Sequence, residues 1–391
     1  MEQCENLFQK SNLSLLAQQY NVDASKAAVI QAKIWDRPYV SSELNLLNPP
    51  ANKMFDVGSY GQKTLAIQQL IYLGGKKRKE VDFAKSNVGI SELQFEQLLR
   101  NLRFELQQSF YQVYFNQKKA NSLKSQLANL DSLINTYSVQ AEKGNVPLKD
   151  VVRLQSLSLF FKNELLDIQK DIFVQQENLK ILTNTSENIN ALVSEDSLNQ
   201  KYLKPILQVE EQLQKKALQK NPEYLTALKI MESNDLMLKW QKSLATPDIT
   251  VGANYDQRGG AFNNQVNLTF GIPLPLWNTN RGNIKMAAAQ LGQTKMLKEQ
   301  KVLEINSKVS TAYNTFIYQQ NQYQQSVSIF QNFEKVYRGI LQNFQKRNIT
   351  MIEFTDFMES YNQSILFLNE IKKQVIINGE NLNYLTNEKV F

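Results

Sequence analysis

The sequence predicts an α+β fold built from two tandem copies of one unit, each combining long coiled-coil hairpins with two amphipathic strands. Three observations carry that prediction. A motif recurs at a fixed offset of 203 residues, a 3–4 apolar step runs through the long polar segments, and four short segments alternate apolar with polar residues.

The repeat comes first. Residues 143–157 read KGNVPLKDVVRLQSL and residues 346–360 read KRNITMIEFTDFMES. The offset pairs Lys143 with Lys346, Asn145 with Asn348, Val146 with Ile349 and Asp150 with Glu353. It holds again where KRKEVDFAK (77–85) lies over NRGNIKMAA (280–288), matching Arg78 to Arg281 and Val81 to Ile284. Similarity at one fixed period marks a duplicated structural unit.

The first repeat, 1–183, reads as a helix ending near Trp35, strands at 38–47 and 63–72, and helices at 79–142 and 148–182. Residues 184–204 read as a polar, irregular connection. The second repeat, 205–391, gives a helix over 206–245, strands at 247–255 and 265–274, and helices at 282–346 and 351–387. Only 14 glycines and 9 prolines occur in 391 residues, which leaves room for long uninterrupted elements. Ala120, Leu123, Leu127, Leu130, Ile134, Tyr137 and Ala141 step 3,4,3,4,3,4, as do Tyr323, Ser326, Phe330, Phe333, Tyr337, Ile340 and Phe344. That rhythm is a coiled-coil seam.

The strands alternate with period two. Val266, Leu268, Phe270 and Ile272 oppose Gln265, Asn267, Thr269 and Gly271, and Ile249, Val251, Ala253 and Tyr255 oppose their own polar neighbours. Such a sheet suits a half-buried soluble layer or a lipid-facing barrel. About ten residues is the length a membrane-crossing strand needs. Four strands cannot close a barrel, and open edges do not occur in lipid. Three copies would close a twelve-stranded trimeric transmembrane β-barrel. A helix of about 64 residues at roughly 1.5 Å each is on the order of 96 Å long. The bilayer core is only about 30 Å thick, so the helices are expected to project well beyond it.

The stretch IPLPLW ends the last strand, because proline withholds a backbone donor. Trp35, Trp240 and Trp277 fall at predicted strand–helix junctions, the depth at which tryptophan favours a headgroup layer. Lys76, Lys77, Arg78 and Arg281 lie at the same level, where phosphate contact or solvation is preferred over gating.

Composition excludes several classes. With one cysteine and no histidine, an intramolecular disulfide, a His/Cys metal site and a histidine-activated nucleophile are impossible. No catalytic residue, cofactor or resident metal is expected. The net charge of +7 is spread along the chain, so nucleic acid is not an expected partner. No run of 18 apolar residues exists. The opening MEQCENLFQK is not a signal peptide; a leader is taken as cleaved or left off, and Cys4 reads as a lone thiol near a chain end.

The order of these parts resembles the TolC-like outer-membrane efflux protein family, from NLSLLAQQYNVDASKAAV to about residue 385. The marks are IPLPLW, the helix start NRGNIKMAAAQ and the paired turns. VGSYGQKTLAIQQLIYLGGKKRKEVDFAK looks most like the branch that exports heavy-metal cations. The resemblance implies a homotrimer in the cell outer membrane, its barrel continued by a helical periplasmic tunnel. It also implies docking to a periplasmic adaptor (membrane fusion) protein and an inner-membrane pump, of resistance-nodulation-division or ABC type. It places Glu353 and Asp356 at the tunnel constriction, and the turns Lys143, Gly144, Asn145, Val146 and Arg347, Asn348, Ile349 at the adaptor. Gly144 fits a left-handed turn, whereas the second turn relies on Asn348 to tolerate that geometry. Without the resemblance, an exposed Glu/Asp pair reads as ordinary helix solvation. Two alternatives stand beside this reading: a soluble or periplasmic coiled-coil scaffold, and the outer-membrane component of a type I secretion system.

Overall fold

The computed structural model describes residues 1–259 and 261–391. They form two compact units. One comprises Met1–Gln18, Phe95–Leu225 and Val302–Phe391; the other comprises Gln19–Gln94 and Thr226–Lys301.

The second unit contains the sheet. Strands β1 (Tyr39–Leu44), β4 (Gln62–Ile71), β5 (Ile249–Arg258) and β6 (Phe262–Gly271) lie in the order β1-β4-β5-β6, every pair antiparallel. The loop between β1 and β4 carries an unpredicted two-stranded pairing, β2 (Leu47–Asn48) with β3 (Lys53–Met54). The predicted strand 38–47 is therefore shorter, its last residue belonging to this hairpin.

Register sorts the faces. Val40, Ile67, Ala253 and Leu268 stand in one row, and Ser42, Leu65, Tyr255 and Val266 in the next row of the same face. The opposite face presents Ser41, Ala66, Asn254 and Asn267, then Glu43, Thr64, Asp256 and Gln265. Leu268 is 73 % and Phe270 76 % exposed, so no described residue covers the apolar face there.

The remaining long elements are helices, beginning with α1 (Glu2–Ser11) and α2 (Leu13–Lys33). Helix α3 (Lys76–Glu142) leads to the returning α4 (Leu148–Thr183), and α8 (Arg281–Gln345) to α9 (Met351–Thr386). The bounds of α9 lie 203 residues after those of α4, and Gln345 lies 203 after Glu142. The seam of α3 is buried at Ala120, Leu123, Leu127 and Leu130. The matching seam of α8 is built on stacked rings instead. Tyr337 lies 4.2 Å from Tyr361 and Phe344 lies 4.0 Å from Phe354, centroid to centroid.

Two expectations need correction. The single helix over 206–245 is two helices, α6 (Glu210–Lys220) and α7 (Pro222–Leu244), parted at Asn221. Proline disfavours helical geometry in the residue before it. Asn221 then caps α7 by accepting the Glu223 N–H at 2.9 Å, and it donates to the Leu385 carbonyl at 2.9 Å.

The irregular connection 184–204 contains helix α5 (Glu195–Tyr202), with Leu198 and Tyr202 buried. Tertiary contacts hold this short helix, since eight residues are too few to be stable alone. Glu195 accepts bonds from Lys118, Lys372 and Tyr114. Tyr202 donates to Glu380, and its ring fills the space above Gly379.

Burial opposes ionisation of Glu195, but its hydrogen bonds from Lys118 and Lys372 outweigh that and hold the carboxyl at about 2. Lys119 and Lys373 do the same for Glu370, also to about 2. Both carboxyls are depressed in the fold from an ordinary 4.5, so their stabilisation is complete above about pH 4.5 and is lost as pH falls towards 2. Circular dichroism across that window should show an acid transition that weakens in an E195Q/E370Q variant.

A Cβ on Gly379 would meet the Tyr202 ring at 2.7 Å. Gly379→Ala is therefore expected to cost about 1–3 kcal/mol by overpacking, read from thermal unfolding.

Candidate functional site

The two turns that join the hairpin helices share one backbone solution. The N–H of Gly144 bonds to the Ala141 carbonyl at 2.9 Å and that of Asn145 to Gln140 at 2.9 Å. At the second turn the Arg347 N–H bonds to Phe344 at 3.0 Å and that of Asn348 to Asn343 at 2.8 Å. This is the Schellman pattern, which satisfies the last carbonyls of a helix. Even the side-chain braces match, Asn145 to Gln140 and Asn348 to Asn343.

The pattern requires one left-handed residue. Gly144 supplies it with φ +73°. In the second turn Arg347, not Asn348, takes φ +62°. The expected role of Asn348 is thus corrected: the Schellman ladder fixes the left-handed position one residue earlier. Lys143, Gly144, Asn145, Arg347 and Asn348 are exposed, while Val146 and Ile349 are half-buried beneath them.

Beyond the turns the two copies diverge. Helix α4 begins after Pro147, which makes no side-chain cap. Helix α9 begins after Thr350, in a capping box with Glu353. The Glu353 carboxylate accepts the Thr350 N–H at 2.7 Å and its hydroxyl at 2.8 Å, and the Glu353 N–H returns to the Thr350 hydroxyl at 3.2 Å. The bond from the Thr350 backbone and that from its hydroxyl hold the Glu353 carboxyl below the usual range. Thr-x-x-Glu before an apolar run is the sequence signature of this cap, and it was there to be read.

Asp356 is exposed on the same side of α9 as Glu353, while Phe354, Thr355 and Met358 turn inward. Glu359, exposed one turn beyond Asp356, is a further carboxylate on this stretch that spacing alone did not single out. Among the described residues no group of three or more His, Cys, Asp or Glu is placed to hold a metal ion.

The strand–helix junctions form a second candidate region. Lys76 is buried and paired with Asp248 at 2.7 Å, and Asp248 also accepts the Leu73 N–H at 3.0 Å. Lys77 pairs with Glu80 at 2.9 Å. These two lysines brace the junction, leaving Arg78 and Arg281 exposed. Trp35 is half exposed against Tyr72, and Trp277 is 92 % exposed. Trp240 differs: it is half-buried and stacks on Phe83 at 5.8 Å, packing α7 against α3. Sequence position put it at the interface, but a helix-to-helix contact claims much of its ring.

Comparison with known proteins follows this geometry. Residues 213–383 match the family model described as outer membrane efflux protein. No curated protein matches the sequence. The solved structure of CusC, titled for folding and transmembrane channel formation, has a TM-score of 0.80 at 14 % identity, covering 98 % of this chain and 91 % of that one. The Campylobacter jejuni CmeC outer membrane channel gives 0.82 at 13 %, covering 99 % and 85 %. The Vibrio cholerae outer membrane protein VceC gives 0.74 at 15 %, covering 100 % and 96 %. Likeness at these identities is a likeness of fold, and it extends over nearly the whole chain.

A glycine should suit the second turn better than Arg347. Relief of about 1–2 kcal/mol of left-handed strain exceeds the roughly 0.5–1 kcal/mol of flexibility that glycine adds. Arg347→Gly is expected to raise the unfolding temperature slightly; a fall would show that the arginine side chain stabilises the turn.

Proposed function

We infer that the chain as a whole is an outer membrane efflux protein, and that it forms the exit duct of a tripartite efflux system. The observation that carries this reading is the sheet. Its register gathers apolar side chains onto one uncovered face and polar ones onto the other, and both β1 and β6 end the sheet with an unpaired edge. In lipid such edges must be closed, and the antiparallel order allows β6 of one copy to pair with β1 of the next. Three copies complete a twelve-stranded barrel with the apolar face outward and the polar face lining the lumen. The match of residues 213–383 to the efflux family and the shared fold of CusC, CmeC and VceC support the same conclusion.

The helical hairpins extend the duct into the periplasm. Their turns, Lys143, Gly144, Asn145 and Val146 in the first and Arg347, Asn348 and Ile349 in the second, are the proposed adaptor surface, and the adaptor joins the duct to an inner-membrane pump of resistance-nodulation-division or ABC type. Arg78, Arg281, Trp35 and Trp277 meet the headgroup layer. The constriction is placed on the exposed carboxylate stretch at the start of α9, which favours cations over anions. The proposed passengers are metal cations, drugs or other small solutes; with no histidine in the chain, metal ions would pass by carboxylate and water contacts. The duct performs no chemistry; the pump supplies the energy.

Detergent-purified protein should be trimeric by native mass spectrometry and should give discrete conductance steps in planar bilayers. A monodisperse single copy in plain buffer would end this reading in favour of a scaffold. Leu268→Arg, on the lipid-facing side, is expected to lose about 2–4 kcal/mol of barrel stability. The neighbouring Asn267→Arg should be tolerated, because residue 267 faces the lumen.

A further inference from the structure

We propose that Glu353 is a positioning residue of the second turn, and that Asp356 carries the charge selectivity of the constriction. The proposal rests on the reading of this stretch as the duct's constriction. It departs from the assignment of both carboxylates to the pore.

The two copies of the hairpin show why. Both turns carry a left-handed residue at the same position and the same pair of closing backbone bonds. They differ in how the returning helix begins. Pro147 has its φ fixed by its ring at −67° and has neither an N–H nor a side-chain oxygen with which to build a capping box. Asp150, the counterpart of Glu353, bonds its N–H to the Pro147 carbonyl at 3.0 Å, and no side-chain cap forms at this helix start. Thr350 has no ring to hold its φ of −76°. The start of α9 is held instead by three bonds between Thr350 and Glu353.

Those bonds decide where the Glu353 charge is directed. One oxygen, Oε2, takes both the Thr350 N–H and the Thr350 hydroxyl, so the carboxylate folds back along its own helix. There it faces the positive end of the helix dipole, which offsets its charge. A passing cation would have to compete with those donors. The next turn of the helix is different. Asp356 is exposed and makes no side-chain hydrogen bond or ion pair among the described residues. Its charge is therefore available to the solvent it faces. The arginine strained at φ +62° adds a reason for the cap, because a turn under strain needs its neighbouring helix start fixed.

The difference in chemistry gives a clean test. Glutamine at the same position accepts the capping bonds through its amide oxygen but carries no charge. Glu353→Gln therefore separates charge from cap, whereas Glu353→Ala removes both. Trimers of the full chain with E353Q, E353A, D356N or no substitution would be reconstituted in planar bilayers under a potassium chloride gradient. The expected result is that D356N lowers the cation-to-anion permeability ratio by about twofold or more. E353Q should keep the unsubstituted ratio and single-channel conductance. E353A should change the conductance and speed hydrogen exchange at 350–354, and E353Q should restore both.

A drop in the permeability ratio with E353Q as large as that with D356N would overturn the proposal while leaving the constriction reading intact. An unchanged ratio in every variant would remove the constriction from this stretch, and the proposal with it. Circular dichroism and trimer mass of E353Q and D356N establish that each compared channel is folded.

Discussion

A four-stranded sheet with two bare edges and one uncovered apolar face is the constraint on which the rest of this molecule depends. Backbone donors and acceptors left open on β1 and β6 must find partners, and Val266, Leu268 and Phe270 must leave water. Among the described residues no helix lies over that face at β6, every residue of which is exposed or nearly so. In the proposed trimer, assembly inside lipid would satisfy both demands at once: the edges would close on sister strands, and the hydrocarbon would cover the apolar side chains. A soluble scaffold would need a further layer over the sheet, and the chain supplies none among its described residues.

The junction between strand and helix follows from that demand. In the proposed barrel, a strand ending in lipid would have to hand its chain to a helix without leaving backbone groups bare. After β4, two glycines reverse the path, and the buried Lys76–Asp248 pair fixes the start of α3 against the strand that begins at Ile249. After β6, Pro273 and Pro275 have no N–H that would need an acceptor, and Asn280 takes a left-handed conformation while donating to Gln241. The two copies solve the same problem with different residues. A charge pair serves one and prolines with an asparagine bridge serve the other.

The hairpins show the same divergence within a retained frame. Their helical bounds keep the 203-residue offset, yet one seam is aliphatic and the other aromatic. One returning helix starts on a proline and the other on a capping box. In the proposed trimer a duplicated unit would present six hairpins of two kinds, so differences between the copies would distinguish alternate positions around the duct. The capping box and the exposed Asp356 lie on the second hairpin only, which in that trimer would confine the carboxylate stretch to three of the six positions.

Much of this architecture was legible in the residues themselves. The seams, the strand alternation, the turn at Gly144 and the duplication are patterns of period 3.5, 2 or 203, and each follows from the geometry of a single element or its copy. The break at Asn221-Pro222 was legible too, as was the Thr350–Glu353 cap, but longer patterns overrode both. What the sequence could not contain was the choice of distant partners. Lys76 and Lys77 look alike as surface cations, and only the fold buries the first against Asp248. Trp35, Trp240 and Trp277 look alike at their junctions, and only packing on Phe83 sets Trp240 apart. Helix α5 exists because Lys118, Lys372 and Glu380 reach it from remote stretches of chain. Periodicity is local and is fixed by the backbone; pairing between remote segments depends on register, which is settled only when all the elements pack together.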